Sequence, residues 1–193
     1  MGRTKTTSDA RQRILDTADR LFYAEGIRAV GIDRIIAESG AAKMTLYSHF
    51  RSKDDLILAV LRFREEQFTA WFTEAMKRNA GAKGGRLGAL FAALKEWFET
   101  PTFRGCAFIN ASVELADPAH PGFVHARQHK ERFHAFLANL IEDSLGKAAA
   151  RLAPAVAVLI EGAIVMAVIE GSPRPADVAR EATLLLLSQA KEG

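Results

Sequence analysis

Residues 32–50 read Ile32-Asp-Arg-Ile-Ile-Ala-Glu-Ser-Gly-Ala-Ala-Lys-Met-Thr-Leu-Tyr-Ser-His-Phe50. Ile32, Ile35 and Ile36 recur at helical spacing over a stretch that ends near Ser39, and Gly40 follows it. A second helical stretch begins near Ala42 and runs to about Phe50, with Leu46 and Phe50 turned toward a core. The pattern is helix, glycine turn, helix. Glycine reaches the left-handed backbone region cheaply, so it can close one helix and redirect the chain within a three- or four-residue turn.

Two helices joined this tightly suit a duplex. The first lies across the phosphate backbone, and the second enters a major groove about 12 Å wide with its N-terminal side chains at the base edges. Here those side chains are Lys43, Met44, Thr45 and Ser48. Lys43 can donate to a guanine edge or neutralise a phosphate, and Met44 and Thr45 can touch a thymine methyl. Tyr47, His49 and Lys53 are placed to grip phosphates, which positions a protein without specifying sequence. Arg3, Lys5, Arg11 and Arg13 of an N-terminal arm can add phosphate or minor-groove contacts. Helix–glycine–helix alone also fits a helical hairpin with no nucleic-acid role.

Outward from this stretch, helical periodicity continues in both directions. Upstream, Ile14, Leu15, Ala18, Leu21 and Phe22 form an apolar face, with Ser8 or Asp9 as the expected cap and Gly26 as the stop. Downstream, Ser52-Lys-Asp-Asp55 reads as a capping box with aspartate in place of glutamate. A long helix to about Asn79 follows, with Leu56, Ile57, Val60, Leu61, Phe68, Trp71, Phe72 and Met76 as its apolar positions. Further helices are expected at about 87–98, 106–116, 122–145 and 152–170, and a last one runs from Pro175 to near Ala190. No stretch alternates with period two, so the fold class is all-α with about nine helices.

The chain has 193 residues, 49% apolar and 25% charged, which excludes disordered, collagen-like and coiled-coil classes. Its single cysteine excludes an internal disulfide framework and suits a reducing, cytoplasmic setting. The polar N-terminus lacks the apolar core of a signal peptide, though Met1-Gly-Arg-Thr-Lys-Thr6 fits the loose myristoylation pattern. Leu152–Ile169 is the most membrane-like stretch. Pro154, Glu161 and Gly162 interrupt it, so it reads as a buried helix and not a span. Residues 1–64 carry 12 Lys/Arg against 8 Asp/Glu, and the rest of the chain 14 against 15. This excess points to a polyanion partner or to a solvated basic surface.

The residues Arg13-Ile-Leu-x-x-Ala18, Leu21-Phe22, Gly26, Ile35, Gly40, Met44-Thr-Leu-Tyr-Ser-His-Phe50 and Ser52-Lys-Asp-Asp-Leu56 resemble the DNA-binding domain of the TetR/AcrR family of transcriptional regulators. The resemblance implies a helix-turn-helix DNA-binding domain over 1–52 and a C-terminal helical ligand-binding and dimerisation domain over 53–193. It also implies repression relieved by a small molecule. By the same resemblance Tyr47, His49 and Lys53 match phosphate-contact positions, and Lys43, Met44, Thr45 and Ser48 base-facing ones. Two departures stand out: family members usually cap the second and third helices with Ser or Thr, and this chain has Gly31 and Ala42. Alanine gives up about 1 kcal/mol of capping.

In the second half, Gly105-Cys-Ala-Phe-Ile-Asn110, Asp117-Pro118, His120-Pro121 and Ile160-Glu-Gly-Ala163 are similar to motifs of one C-terminal subgroup. There the last two helices form a homodimer contact. The residues agree: Ala155, Val156, Leu159, Ala163, Val165, Met166 and Ile169 make a broad apolar face, and Leu184–Leu187 extend it. A two-fold dimer would set two recognition helices ~34 Å apart, the repeat of a palindromic operator.

For an effector, the aromatic residues Phe68, Phe72, Trp71, Phe91, Trp97, Phe98, Phe108, Phe133 and Phe136 read as core packing one by one and as a hydrophobic site together. Phe68, Trp71, Trp97, Cys106, Phe108, Phe136 and Glu161 are the candidate ligand residues. Glu161 interrupts an apolar helix and needs a partner, either a ligand or a nearby Arg or Lys. His125 and His129 have the i, i+4 spacing that can share a metal, with His120 and His134 nearby, yet no complete ligand set emerges. No metal, cofactor, catalytic residue or membrane partner is expected. Cys106 at a helix N-terminus leaves open a thiol sensor or a Cys–His enzyme. A DNA-binding protein without effector is the other alternative.

Overall fold

The structure is a computed structural model and describes residues 3–189; the side chains of residues 3–8, Arg3 and Lys5 of the arm included, lie outside the described set. The described residues form ten helices and no strand: α1 (Arg3–Glu25), α2 (Ile32–Ser39), α3 (Lys43–His49), α4 (Lys53–Arg78), α5 (Gly85–Phe98), α6 (Ala107–Leu115), α7 (Pro121–Leu145), α8 (Lys147–Ala150), α9 (Ala153–Glu170) and α10 (Arg174–Gln189). The all-α expectation holds.

Three details differ from the sequence reading. Helix α1 starts before Ser8, because nothing in its first residues stops a helix, and Asp9 pairs with Arg13 one turn on at 2.6 Å where a cap was expected. The four-residue α8 was not anticipated; Gly146 and the loop after it tighten into a single turn. Helix α9 is buried along one face only, and its other face is exposed.

Two compact units make up the chain: Met1–Gln67 with Ala107–Gln128, and Phe68–Cys106 with His129–Gly193. The first unit centres on Ile14, Leu21, Ile35, Leu46 and Leu56, each without solvent exposure. Each such aliphatic side chain contributes about 1.5–3 kcal/mol by leaving water. Helix α1 is tied to α2 by a charged chain: Arg34 pairs with Glu25 and Glu38, and Arg20 also reaches Glu38. Hydrogen bonds from Arg20 and then Arg34 hold the Glu38 carboxyl below its usual range. Arg64 grips Asp19 through Nε and Nη2 at 2.7 and 2.8 Å, and its guanidinium lies 3.8 Å from the Tyr23 ring centre. Burial pushes the Asp19 carboxyl up, and Arg64 pulls against that shift without reversing it.

The second unit is built on α5, α9 and α10 with the later half of α7. Leu90, Leu137, Leu140, Ile141, Ile160 and Leu187 are its fully buried large residues. The buried face of α9 includes Ala153, Ala157, Ala163 and Ala167, and that of α10 includes Ala176 and Ala179. Small side chains let two helices approach closely. Lys95 on α5 pairs with Asp177 on α10 at 2.7 Å.

Candidate functional site

Helices α2 and α3 are joined by Gly40, whose φ of 63° lies in the left-handed region. A β-carbon there is costly, so this turn depends on glycine. Helix α3 begins directly after Ala42 although no side chain caps it: the Ala42 carbonyl accepts the N–H groups of both Thr45 and Leu46. Gly31 likewise precedes α2 without a side-chain cap. Both family departures are therefore absorbed by the backbone. At the start of α4 the expected capping box keeps its Ser52–Asp55 half, and only the reciprocal bond moves by one residue, to Arg51. The Asp55 N–H donates to Ser52 Oγ at 3.0 Å, while the shorter Asp55 carboxylate accepts from the Arg51 N–H at 3.2 Å.

Burial sorts the residues of α3. Leu46 and the following Phe50 are inside, as expected. Lys43, Met44, Tyr47 and Ser48 face outward, Met44 with 79% of its surface exposed. Thr45 and His49 flank this face, half-buried. Lys43 Nζ stands 3.7 Å from Asp33, an exposed pair that is easily exchanged for another anion. Ser48 donates to the Thr45 carbonyl. His49 Nε2 is buried without a hydrogen-bond partner, so a contact through that nitrogen requires the ring to turn.

Lys53 is more committed than its sequence position suggested. Its ammonium donates to the Ile27 carbonyl at 2.6 Å and lies 5.9 Å from the Phe22 ring centre. Burial lowers its pKa, against the raising effect of Glu114 and Asp54. Arg11 of the arm stacks over Phe50 at 5.3 Å, and Arg13 donates to the Ser39 carbonyl.

Of the seven candidate ligand residues, six lie in the second unit. Phe68, Trp71 and Trp97 form one aromatic cluster, with Phe68–Trp97 centroids 4.8 Å apart and Phe72 and Phe103 extending it. Cys106 and Glu161 are joined by Lys130, which donates to Glu161 Oε1 at 2.6 Å and to Cys106 Sγ at 3.3 Å. Burial opposes charge on Lys130, but the sulfur and the carboxylate outweigh it and hold its pKa above the usual lysine value. Lys130 also lies 5.9 Å from the Phe133 ring, and Phe133 stacks on Phe136. Glu161 Oε2 is buried and has no hydrogen-bond partner. Phe108 lies in the first unit, buried and tilted against His125. Sequence reasoning asked for a basic neighbour of Glu161 but did not single out Lys130. Among the described residues no three His, Cys, Asp or Glu side chains gather as a metal site.

Helices α9 and α10 leave an apolar outer surface. Val158, Val165, Met166 and Ile169 recur along α9 at spacings of seven, one and three, with Ala155 and Gly162 on the same stripe. Val178, Leu184 and Leu185 continue it on α10. By length and composition α9 could cross a membrane, but its other face lies in the core of the second unit.

Comparison with known proteins decides the family. Residues 14–60 match the family model described as bacterial regulatory proteins, tetR family, and residues 84–183 match a tetracyclin repressor-like C-terminal domain. The chain belongs to the TetR family of transcriptional regulators. Among solved structures it is similar to SCO4454, a TetR-family transcriptional regulator from Streptomyces coelicolor. That likeness has 36% identity and a TM-score of 0.82 over 95% of this chain and 96% of the other. It is also similar in fold to the reduced form of NemR from Escherichia coli, with 21% identity and a TM-score of 0.75 over 90% of this chain and 95% of that one. In sequence it is 25% identical over 113 residues to the HTH-type transcriptional repressor NemR, an alignment covering 58% of this chain and 57% of that protein. Thus the chain spans little more than half the length of this curated relative.

Proposed function

We propose that this TetR-family chain is a sequence-specific DNA-binding repressor that acts as a homodimer in the cytoplasm and is released by a small effector. The observation that carries the reading is the outward face of α3. Its exposed side chains supply a cation, a hydroxyl, a phenol and a thioether, a set suited to phosphates and base edges. Residues 1–52 would hold the DNA-reading function, and residues 53–193 effector binding and dimerisation.

Within this proposal Lys43, Met44, Thr45 and Ser48 meet bases, while Tyr47, His49 and Lys53 meet phosphates. The exposed stripe of α9 and α10 pairs with its copy, and two recognition helices span a palindromic operator. The effector is apolar or aromatic and carries a hydrogen-bond donor. Phe68, Trp71, Trp97 and Phe136 would receive its apolar body, and the unpartnered Oε2 of Glu161 beside Lys130 and Cys106 would accept from its polar end. Bound effector would favour a conformation in which α4 has swung, so that the recognition helices lose their spacing.

Such coupling is reciprocal: operator must weaken effector binding by the factor that effector weakens operator binding. A duplex enriched from random oligonucleotides by the purified dimer, then titrated with and without a stabilising ligand from a thermal-shift screen, tests both halves. No enriched duplex refutes the DNA reading. Ligand affinity that ignores the duplex refutes the release mechanism.

A further inference from the structure

The turn leading from α1 into α2 is held by one peptide group. Its carbonyl, that of Ile27, accepts from Lys53 Nζ at 2.6 Å. Its amide, that of Arg28, donates to Glu114 Oε2 at 2.9 Å. Lys53 opens α4 and Glu114 lies in the last turn of α6, so two helices remote in sequence grasp opposite ends of the same peptide bond. Both belong to the first unit.

Other features mark Glu114 as placed for this contact. A carboxylate in the last turn of a helix faces the negative end of the helix dipole, so its own helix disfavours it there. The residue two positions on, Ala116, has a φ of 53°, a left-handed conformation that L residues adopt at a cost. Gly26, with φ of +96°, leaves room for the carboxylate: a β-carbon there would stand 3.0 Å from Glu114 Oε2. The two clamping groups carry opposite charge and flank a peptide dipole in the matching sense, each at the end it stabilises.

We infer that Glu114 is a positioning residue for DNA recognition: with Lys53 it fixes the 27–28 peptide and thereby the direction in which α2 and α3 leave α1. The inference rests on the DNA-binding reading above. It extends that reading to a residue on α6 that need not approach DNA, and it gives Lys53 a second task beside any phosphate contact. Helix α6 becomes part of the apparatus that aims the recognition helix. Any event that withdraws Glu114 would loosen the turn before α2.

Charge gives the inference a distinctive sign. Removing a carboxylate from a protein that binds a polyanion tightens binding through electrostatics alone. Loss of a positioning contact weakens it. Glu114→Ala and Glu114→Gln both remove the charge, but glutamine keeps an oxygen that can accept from the Arg28 amide. The experiment compares wild type, both variants, Lys53→Ala and the double variant Lys53→Ala/Glu114→Ala on one duplex enriched by the wild type. Amide exchange at Arg28 is followed in the absence of DNA. Glu114→Ala is expected to bind about tenfold more weakly and to lose protection at Arg28, whereas Glu114→Gln keeps both within about twofold or binds tighter. The double variant should lose less than the product of the two single losses, because either substitution already frees the peptide. Tighter binding by Glu114→Ala, or unchanged protection at Arg28, overturns the inference. So does full additivity with Lys53→Ala. Failure of the wild type to enrich any duplex would instead remove the DNA-binding reading, with the Arg28 exchange still reporting whether the clamp exists.

Discussion

Helices α3 and α9 both present an exposed face, and the two faces differ in kind. Helix α3 shows Lys43, Met44, Tyr47 and Ser48, a short face on which hydrogen-bonding groups outnumber apolar ones. Helix α9 shows Val158, Val165, Met166 and Ile169, a long face that is almost all hydrocarbon. Water tolerates the first and disfavours the second. An exposed polar face asks for a partner with complementary donors and acceptors; an exposed apolar stripe asks for another apolar stripe. The same chain therefore offers two kinds of surface, one suited to directional contacts and one to contacts of area and shape.

The comparison can be broken most severely at α9 and α10. Placing charge on the stripe with Ile169→Asp and Leu185→Asp should halve the solution mass. It should also weaken operator binding by more than about 100-fold, since one recognition unit loses the effective concentration supplied by its twin. A variant that remains dimeric would show that the stripe is not the self-contact. Inside the same unit, Lys130→Met leaves the half-buried Glu161 carboxylate unpaired and should lower the unfolding midpoint by several degrees at neutral pH. Because the folded pKa of Lys130 lies above the ordinary lysine value, its stabilisation is fully present below that value and fades as pH rises through the folded one. The gap between wild type and variant should thus close in strong alkali; a gap that persists unchanged there would contradict this.

At α3 the expected effects are smaller and of a different type. Lys43→Ala should change the preferred base at one operator position by about 1–3 kcal/mol, whereas Tyr47→Phe should weaken all duplexes alike. Binding-site selection on each variant separates the two, and a uniform loss for Lys43→Ala would remove its base-reading role. The smallest effect is expected away from both faces. Ala116→Gly relieves the left-handed strain after α6 and should change stability by less than about 1 kcal/mol in the stabilising direction, as read by denaturant unfolding.

Much of this architecture was legible from local signals. The isoleucines of α2, Gly40 and the Leu46–Phe50 pair specify their own conformations, so the boundaries of α2 agree with the sequence reading and α3 starts only one residue later. Helix α1 differs at its start because Ser8 and Asp9 are residue types that cap well, yet the helix begins before them; such a residue does not stop a helix whose preceding residues tolerate one. Glu161 announced itself as an anomaly in an apolar helix, but Lys130 could not be assigned to it from 31 residues away. Glu114 gave no signal at all. Its partner is a backbone amide 86 residues earlier, and amides have no sequence signature. Side chains that pair with side chains leave traces in composition, while those that pair with the main chain appear only when the fold brings them together.

The buried alanines of α9 and α10 have an effect that reaches the outer surface. The separation of two packed helices follows the size of the side chains between them, within a range of about 8–10 Å. Helices α9 and α10 pack on one another and each buries alanines, side chains that favour the short end of this range, and the rows bearing Ile169 and Leu185 ride on the same two helices. A methyl group added inside would push those rows apart outside. The interior thus serves as a gauge for the exterior: the contour that the proposed dimer would have to match is cut by residues its partner would never touch.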